Sequence, residues 1–485
     1  MVALLKTLGR GVVALVLVLL AAGIIGAVVA VARLSGYEQE DDQRHLREKV
    51  AYLREIGGLP RPARRPNIVF VLYDDLGYGD LSVTGSRAIR TPHIDALARE
   101  GVRFSRFYSP APICTPARFG FLTGRFAERG GLPHVVFPQG HPIDYLLRLR
   151  GRNIRIPAHE ITLADILRAA GYRTGMVGKW HLGDHSPSLP NDMGFESFFG
   201  ALYSNDMQPF ALYRNKAVVE SAPADQARMS QRYADAATDF IAQNTSEPFF
   251  LYLAHNFPHI PLHVRDSRLG TSPAGLYGDV VEELDDGIGQ LVAALKTAGV
   301  YDNTLIIVSS DNGPWFQGSA GPVRGRKGET FEGGMRVPFV VHWPGTVRGG
   351  RVENGLAMGT DLLPTLLDVL ALPPPGDRLL DGKSLLPMLS GEAGSPHEYL
   401  YYFSGGLKAL RNERFKFMPR RKLIYATADA GLGFGFAKGP WLFDLELDAN
   451  ESYDASAAHG DSLRRLRRAY ESAAEEFRAN PEGWR

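Results

Sequence analysis

The stretch Asn67-Ile68-Val69-Phe70-Val71-Leu72-Tyr73-Asp74-Asp75 decides the fold. After Asn67 the run is apolar and rich in β-branched and aromatic residues, without polar alternation, the pattern of a central strand buried on both faces. It ends in two carboxylates, and in open α/β sheets ligands bind beyond the carboxyl ends of the strands. An Asp-Asp pair after a strand is more often a turn or a helix cap. A second run changes that reading: Thr304-Leu305-Ile306-Ile307-Val308-Ser309-Ser310 ends in Asp311-Asn312-Gly313. Three carboxylates and an amide at the ends of two buried strands form an all-oxygen set suited to a hard divalent cation. Helical patterns at 161–170, 231–243 and 279–296 alternate with strand-type runs, so an α/β sandwich with a largely parallel central sheet is expected. Past residue 390 the pattern changes to short strands at 399–403, 407–418 and 441–445, then a charged helix at 462–478. These predict a smaller antiparallel C-terminal subdomain, with a glycine-rich loop at 430–439.

The chain has 485 residues, 45% hydrophobic and 22% charged, with a net charge of +1. This suits a globular main domain plus a smaller one. The near-zero balance argues against a nucleic-acid partner. Residues 11–32 carry no charge; as a helix they would span about 33 Å, enough for a bilayer core of about 30 Å. Lys6 and Arg10 precede the run and the acidic stretch at 38–42 follows, which favours the N-terminus inside and the body outside. Ala30-Val31-Ala32 resembles a signal-peptidase site, but the run exceeds the about 7–15 residues of a signal core. The expected organisation is a cytoplasmic segment at 1–10, a transmembrane anchor at 11–33 and a stem at 34–66 carrying a short helix at 41–56. A catalytic domain at 67–390 and the subdomain at 391–485 follow, both extracytoplasmic, or secreted if the anchor is cleaved.

Pro112-Ile113-Cys114-Thr115-Pro116-Ala117-Arg118 holds the sole cysteine, so an intramolecular disulfide is excluded. Pro116 fits the first turn of a helix. Cys114 then lies at a helix N-terminus, where an anion is favoured, and Arg118 returns to the same face one turn later. Cys-x-Pro-x-Arg followed by Leu122-Thr123-Gly124-Arg125 resembles the signature of the type I sulfatases, of the alkaline phosphatase-like superfamily. The resemblance implies that Cys114 is converted to Cα-formylglycine by a formylglycine-generating enzyme and that its hydrated aldehyde is the nucleophile.

The same resemblance implies the other roles. Asp74, Asp75, Asp311 and Asn312 match the family's metal ligands, joined by the group at position 114, with Ca²⁺ expected ahead of Mg²⁺. Gly178-Lys179-Trp180-His181 resembles a family segment in which Lys179 contacts sulfate and His181 lies beside the formylglycine. Extended geometry would put both side chains on one face. Pro258-His259-Ile260-Pro261 resembles the segment whose His faces the leaving-group oxygen. His255 and His263 read as structural, and a zinc site is disfavoured for want of further Cys or His partners. Lys327, in Gly325-Arg326-Lys327-Gly328-Glu329-Thr330-Phe331-Glu332-Gly333-Gly334, matches a sulfate-binding lysine; the glycine preceding it sits one place early. Ser204 resembles a substrate-contacting serine of the arylsulfatase A branch. The implied function is hydrolysis of sulfate monoesters on a small molecule, glycan or lipid. The rivals are a phosphonate or phosphoester hydrolase of the same superfamily and a non-catalytic membrane-anchored binder of sulfated ligands.

Overall fold

The computed structural model describes residues 18–19, 34, 36–61, 65–419, 421–425 and 433–485. Strand Asn67–Tyr73 is buried along its whole length. Ile68, Phe70 and Leu72 enter one apolar cluster, and Val69, Val71 and Tyr73 enter another on the opposite face. Burial on both faces is why the run does not alternate, and each such side chain contributes about 1.5–3 kcal/mol. Helices Gln43–Gly58, Cys114–Thr123, Leu163–Ala169 and Leu362–Val369 cover the first face. Helices Pro92–Glu100, Met229–Gln243 and Gly275–Thr297 cover the second.

The central sheet has ten strands. Its middle is parallel: Thr304–Ser310, Asn67–Tyr73, Phe249–Ala254, Arg173–Gly178 and Ser197–Gly200 lie side by side in that order. The flanks correct the expectation of a largely parallel sheet to a mixed one. Phe339–His342 runs antiparallel to both of its neighbours, Thr304–Ser310 and Val102–Phe104, and the hairpin Leu212–Arg214/Ala217–Glu220 adds two antiparallel edge strands. These strands are only three or four residues long, too short for a sequence pattern to show direction.

The expected C-terminal sheet is present, with two corrections. The run at 407–418 is a hairpin, Leu407–Arg411 and Phe415–Met418, because Asn412 Oδ1 accepts from the amides of Arg414 (3.1 Å) and Phe415 (2.7 Å) and turns the chain. The stretch at 433–438, expected as loop, is a strand, Gly433–Lys438, paired with Arg421–Tyr425; residues 430–432 lie outside the described residues. Helix Gly460–Ala479 sets Leu466 against Leu410, Phe415, Phe417 and Leu442. A buried ionic cluster joins subdomain to main domain. Glu332 accepts from Tyr108 (2.6 Å) and Tyr402 (2.8 Å) and pairs with Arg411 (3.2 Å) and Lys416 (3.3 Å). Glu332→Ala would leave two buried cations short of a carboxylate, so a loss of about 3–5 kcal/mol is expected in denaturant unfolding. A loss under about 1 kcal/mol would contradict this role.

The helix expected at 41–56 is Gln43–Gly58, capped by Asp42, whose Oδ1 accepts from the amides of Arg44 and His45. Within the expected stem it is a packed element: Tyr52 and Ile56 enter the core, and Lys49 pairs with Asp165 at 2.8 Å. The anchor expected at 11–33 lies outside the described residues apart from Val18 and Leu19. Among the described residues no helix is long and apolar enough to cross a membrane.

Candidate active site

Register assembles the site. Tyr73 lies opposite Ser310, Leu72 opposite Ala254, and Ala254 opposite Gly178. The strands therefore end level, and Asp74-Asp75, Asp311-Asn312 and Lys179 emerge together at one edge. Gly178 makes the closest approach possible: at φ +110°, a Cβ there would sit 1.8 Å from the Ala254 carbonyl oxygen. Asp75 holds a left-handed φ of 65°, a conformation rare for residues other than glycine and commonest at functional sites.

Cys114 is the first residue of helix Cys114–Thr123, 2% exposed, with Sγ 3.4 Å from Asp74 Oδ1. One turn on, Arg118 is fully buried; its guanidinium reaches Asp311 Oδ2 at 2.9 Å and donates to the Lys179 carbonyl at 2.9 Å. Lys179 Nζ lies 2.5 Å from both Asp74 Oδ2 and Ser204 Oγ. Lys327 Nζ bridges both oxygens of Asp75, at 2.8 and 2.9 Å. Its loop is pinned by Arg326, which donates to the carbonyls of Trp315 and Gly318, and by the Gly328 amide donating to the carbonyl of Pro112, two residues before the cysteine. Every site residue expected from the sequence thus falls in one cluster.

The two histidines differ in which nitrogen they present. His259 Nδ1 faces two oxygens, the Ile260 carbonyl (2.5 Å) and Asn205 Oδ1 (3.2 Å), so it carries the hydrogen, and Nε2 lies 3.8 Å from Asp75 Oδ2. His181 donates from Nε2 to the Val136 carbonyl (3.1 Å), leaving Nδ1 buried and without a partner among the described residues. His181 sits at φ 58°, not in extended backbone, so the alternation argument for this residue gives way to a turn. That turn is fixed by Thr115, which donates to the His181 carbonyl at 3.0 Å. His255 is structural, stacked on Tyr73 at 5.3 Å, and burial pushes its pKa down to about 3. Asn205 and Val136 were not legible as site residues: one is a polar residue in a loop, and the other acts through its backbone.

Charge explains the pKa pattern. Burial alone would raise the Asp74 carboxyl, but Lys179, with His259, Arg118 and Lys327, holds it well below the carboxylate range. Asp311 responds the other way: burial and the neighbouring Asp74 push it up to about 7. Burial and Asp74 also push the Cys114 thiol well above its ordinary value, and a protonated thiol is a poor nucleophile. Burial, Lys179 and Arg118 keep His181 neutral. Crowded carboxylates of this kind suit a divalent cation. Asp74, Asp75, Cys114 and Asp311 each bring a ligand atom within 4.8 Å of the others. Asn312 spends its Nδ2 on Asp75 (2.7 Å) and the Gly313 carbonyl (2.9 Å), leaving Oδ1 buried and without a partner among the described residues. The donors present therefore fit a hard cation.

Comparison with known proteins agrees with this geometry. The Sulfatase family model matches residues 66–372, and one described as "N-sulphoglucosamine sulphohydrolase, C-terminal" matches residues 327–423. N-acetylgalactosamine-6-sulfatase of Mus musculus is 37% identical over 391 residues, 74% of this chain and 72% of that one. Arylsulfatase A of Homo sapiens is 36% identical over 438 residues, 81% and 83% of the two chains. The crystal structure of PsFucS1 sulfatase from Pseudoalteromonas sp. superposes with a TM-score of 0.77 at 26% identity, covering 92% of this chain and 98% of that one. The chain belongs to the type I sulfatase family and is a sulfuric ester hydrolase.

Proposed function

We propose that the protein hydrolyses sulfate monoesters carried on sugars, using a Cα-formylglycine made from Cys114 by a maturation enzyme. One divalent cation, Ca²⁺ in preference to Mg²⁺, is held by Asp74, Asp75, Asp311 and Asn312. The observation that carries this reading is the placement of Cys114: a buried thiol against the carboxylate cluster, ringed by Arg118, Lys179 and Lys327. When bound, the cation supplies charge that polarises oxygen at position 114 and on the sulfate. A formylglycine at position 114, once hydrated, would supply a nucleophilic hydroxyl beside Arg118, Lys179 and Lys327 and a second hydroxyl through which sulfate could be released.

The remaining work falls to side chains of this chain. Three carboxylates face three cations, so a divalent ion tips the pocket positive, as a sulfate monoester requires. Lys179 and Lys327 orient the sulfate oxygens, and Ser204, bonded to Lys179, adds a hydroxyl. His181, neutral with Nδ1 free, accepts a proton from the group at 114. His259, its Nδ1 fixed by Asn205 and Ile260, turns Nε2 to the departing alcohol and protonates it. N-acetylgalactosamine-6-sulfatase among the relatives supports a sulfated glycan as substrate. The apolar residues 11–32 support export with membrane anchorage, the body at 67–485 lying outside.

Rates on nitrophenyl sulfate, phosphate monoester and phosphodiester test the reading. Sulfate is expected to be preferred, and a diester preference would instead favour the phosphoester hydrolase. His259→Ala should slow alkyl and sugar sulfates by about 10²–10⁴-fold while costing nitrophenyl sulfate far less, because a good leaving group needs no proton. Equal losses on both would contradict the general-acid role.

A further inference from the structure

The helix Pro142–Leu149 is inverted for a water-facing element. Its acidic residue, Asp144, is buried, paired to Arg148 at 2.9 Å and accepting from the Gly140 amide. Three of its apolar residues face outward, Ile143, Tyr145 and Leu146 at 39, 46 and 42% exposed, while Leu147 and Leu149 are half-buried. Arg150 and Arg152 follow at its C-terminal end, both exposed. The chain emerging from residues 11–32 is tied to this same end. The Tyr37 hydroxyl donates to the Arg152 carbonyl, the Arg148 guanidinium lies 5.7 Å from the Tyr37 ring centroid, and Gln39 Oε1 accepts from the Ile154 amide at 2.8 Å. Tyr37 lies five positions after Ala32, a reach of at most about 18 Å.

We propose that this helix docks on an anionic bilayer, with Ile143, Tyr145 and Leu146 entering the boundary between headgroups and acyl chains and Arg150 and Arg152 meeting lipid phosphates. The proposal rests on the anchor reading, because a membrane-spanning segment ending near residue 33 holds the helix within reach of the surface. A two-fold contact with a second copy fits less well, since it would set the same arginines against each other. Docking also brings the cleft toward the membrane: Val136, which accepts from His181, lies six residues before Pro142, at most about 20 Å along the chain.

The test uses the full chain in vesicles of phosphatidylcholine and phosphatidylglycerol. An environment-sensitive fluorophore is placed on Tyr145→Cys, on Ile143→Cys, or on Leu447→Cys, a C-terminal position 81% exposed. Cys114 is buried, so the introduced thiol is the one labelled. Docking predicts that vesicles float with the protein and that headgroup-proximal spin-labelled lipid quenches the labels at 145 and 143 about twofold, leaving the label at 447 unchanged. Flotation without quenching would overturn docking while leaving the anchor intact. Failure to float would overturn the anchor and the docked pose together. Emission that tracks protein density per vesicle, not quencher lipid, would assign the face to a second copy and overturn the proposal.

Discussion

Cys114→Ala is expected to abolish sulfate-ester turnover, by on the order of 10⁴-fold or more, while leaving the fold in place. The side chain is small and buried, and it sits at the first position of a helix whose backbone does not depend on it. Its loss removes the thiol through which position 114 would be oxidised to the aldehyde, while the ion pairs of Asp74 with Lys179 and of Asp311 with Arg118 remain. Circular dichroism and the unfolding midpoint should match the parent, and substrate affinity should persist because the three cations remain. Substantial remaining activity would remove Cys114 from the chemistry.

Asp311 is expected to give the second largest effect, with a different signature. Asp311→Ala deletes a carboxylate proposed to hold the metal and also leaves Arg118 buried without its nearest carboxylate, which costs about 3–5 kcal/mol of stability. Asp311→Asn keeps the shape and an oxygen while removing the charge, so it separates metal loss from unfolding. Both should lower bound Ca²⁺, read by elemental analysis, in step with activity, and added Ca²⁺ should recover part of the Asn variant. Unchanged metal content in an inactive Asn variant would contradict the ligand role.

Much of this site is legible in the sequence because its residues occupy ends of strongly apolar strands. Asp74 and Asp311 are found by reading where two buried runs stop, and parallel register then brings them level. Cys114 is found because Cys-x-Pro-x-Arg followed by Leu-Thr-Gly-Arg resembles the sulfatase signature. What stays hidden acts through backbone or short edges. Val136 orients His181 by a carbonyl, and Thr115 fixes the His181 turn. Phe339–His342 is four residues long, too short for its antiparallel pairing with Thr304–Ser310 to show in the sequence. Glu332, quoted only as part of a glycine-rich loop, ties that loop to the C-terminal sheet through Arg411 and Lys416, partners about 80 residues away. No local pattern reports such a contact. The packed helix Gln43–Gly58 is a related case: its charged surface reads as a stem, and its buried face, His45, Lys49, Tyr52 and Ile56, is half polar.

Mass spectrometry of the tryptic peptide spanning residues 107–118, from active protein made in its native host, tests the formylglycine nucleophile most directly. An aldehyde at position 114 in preparations that hydrolyse nitrophenyl sulfate is the expected result. An unmodified thiol at that position in fully active protein would contradict it.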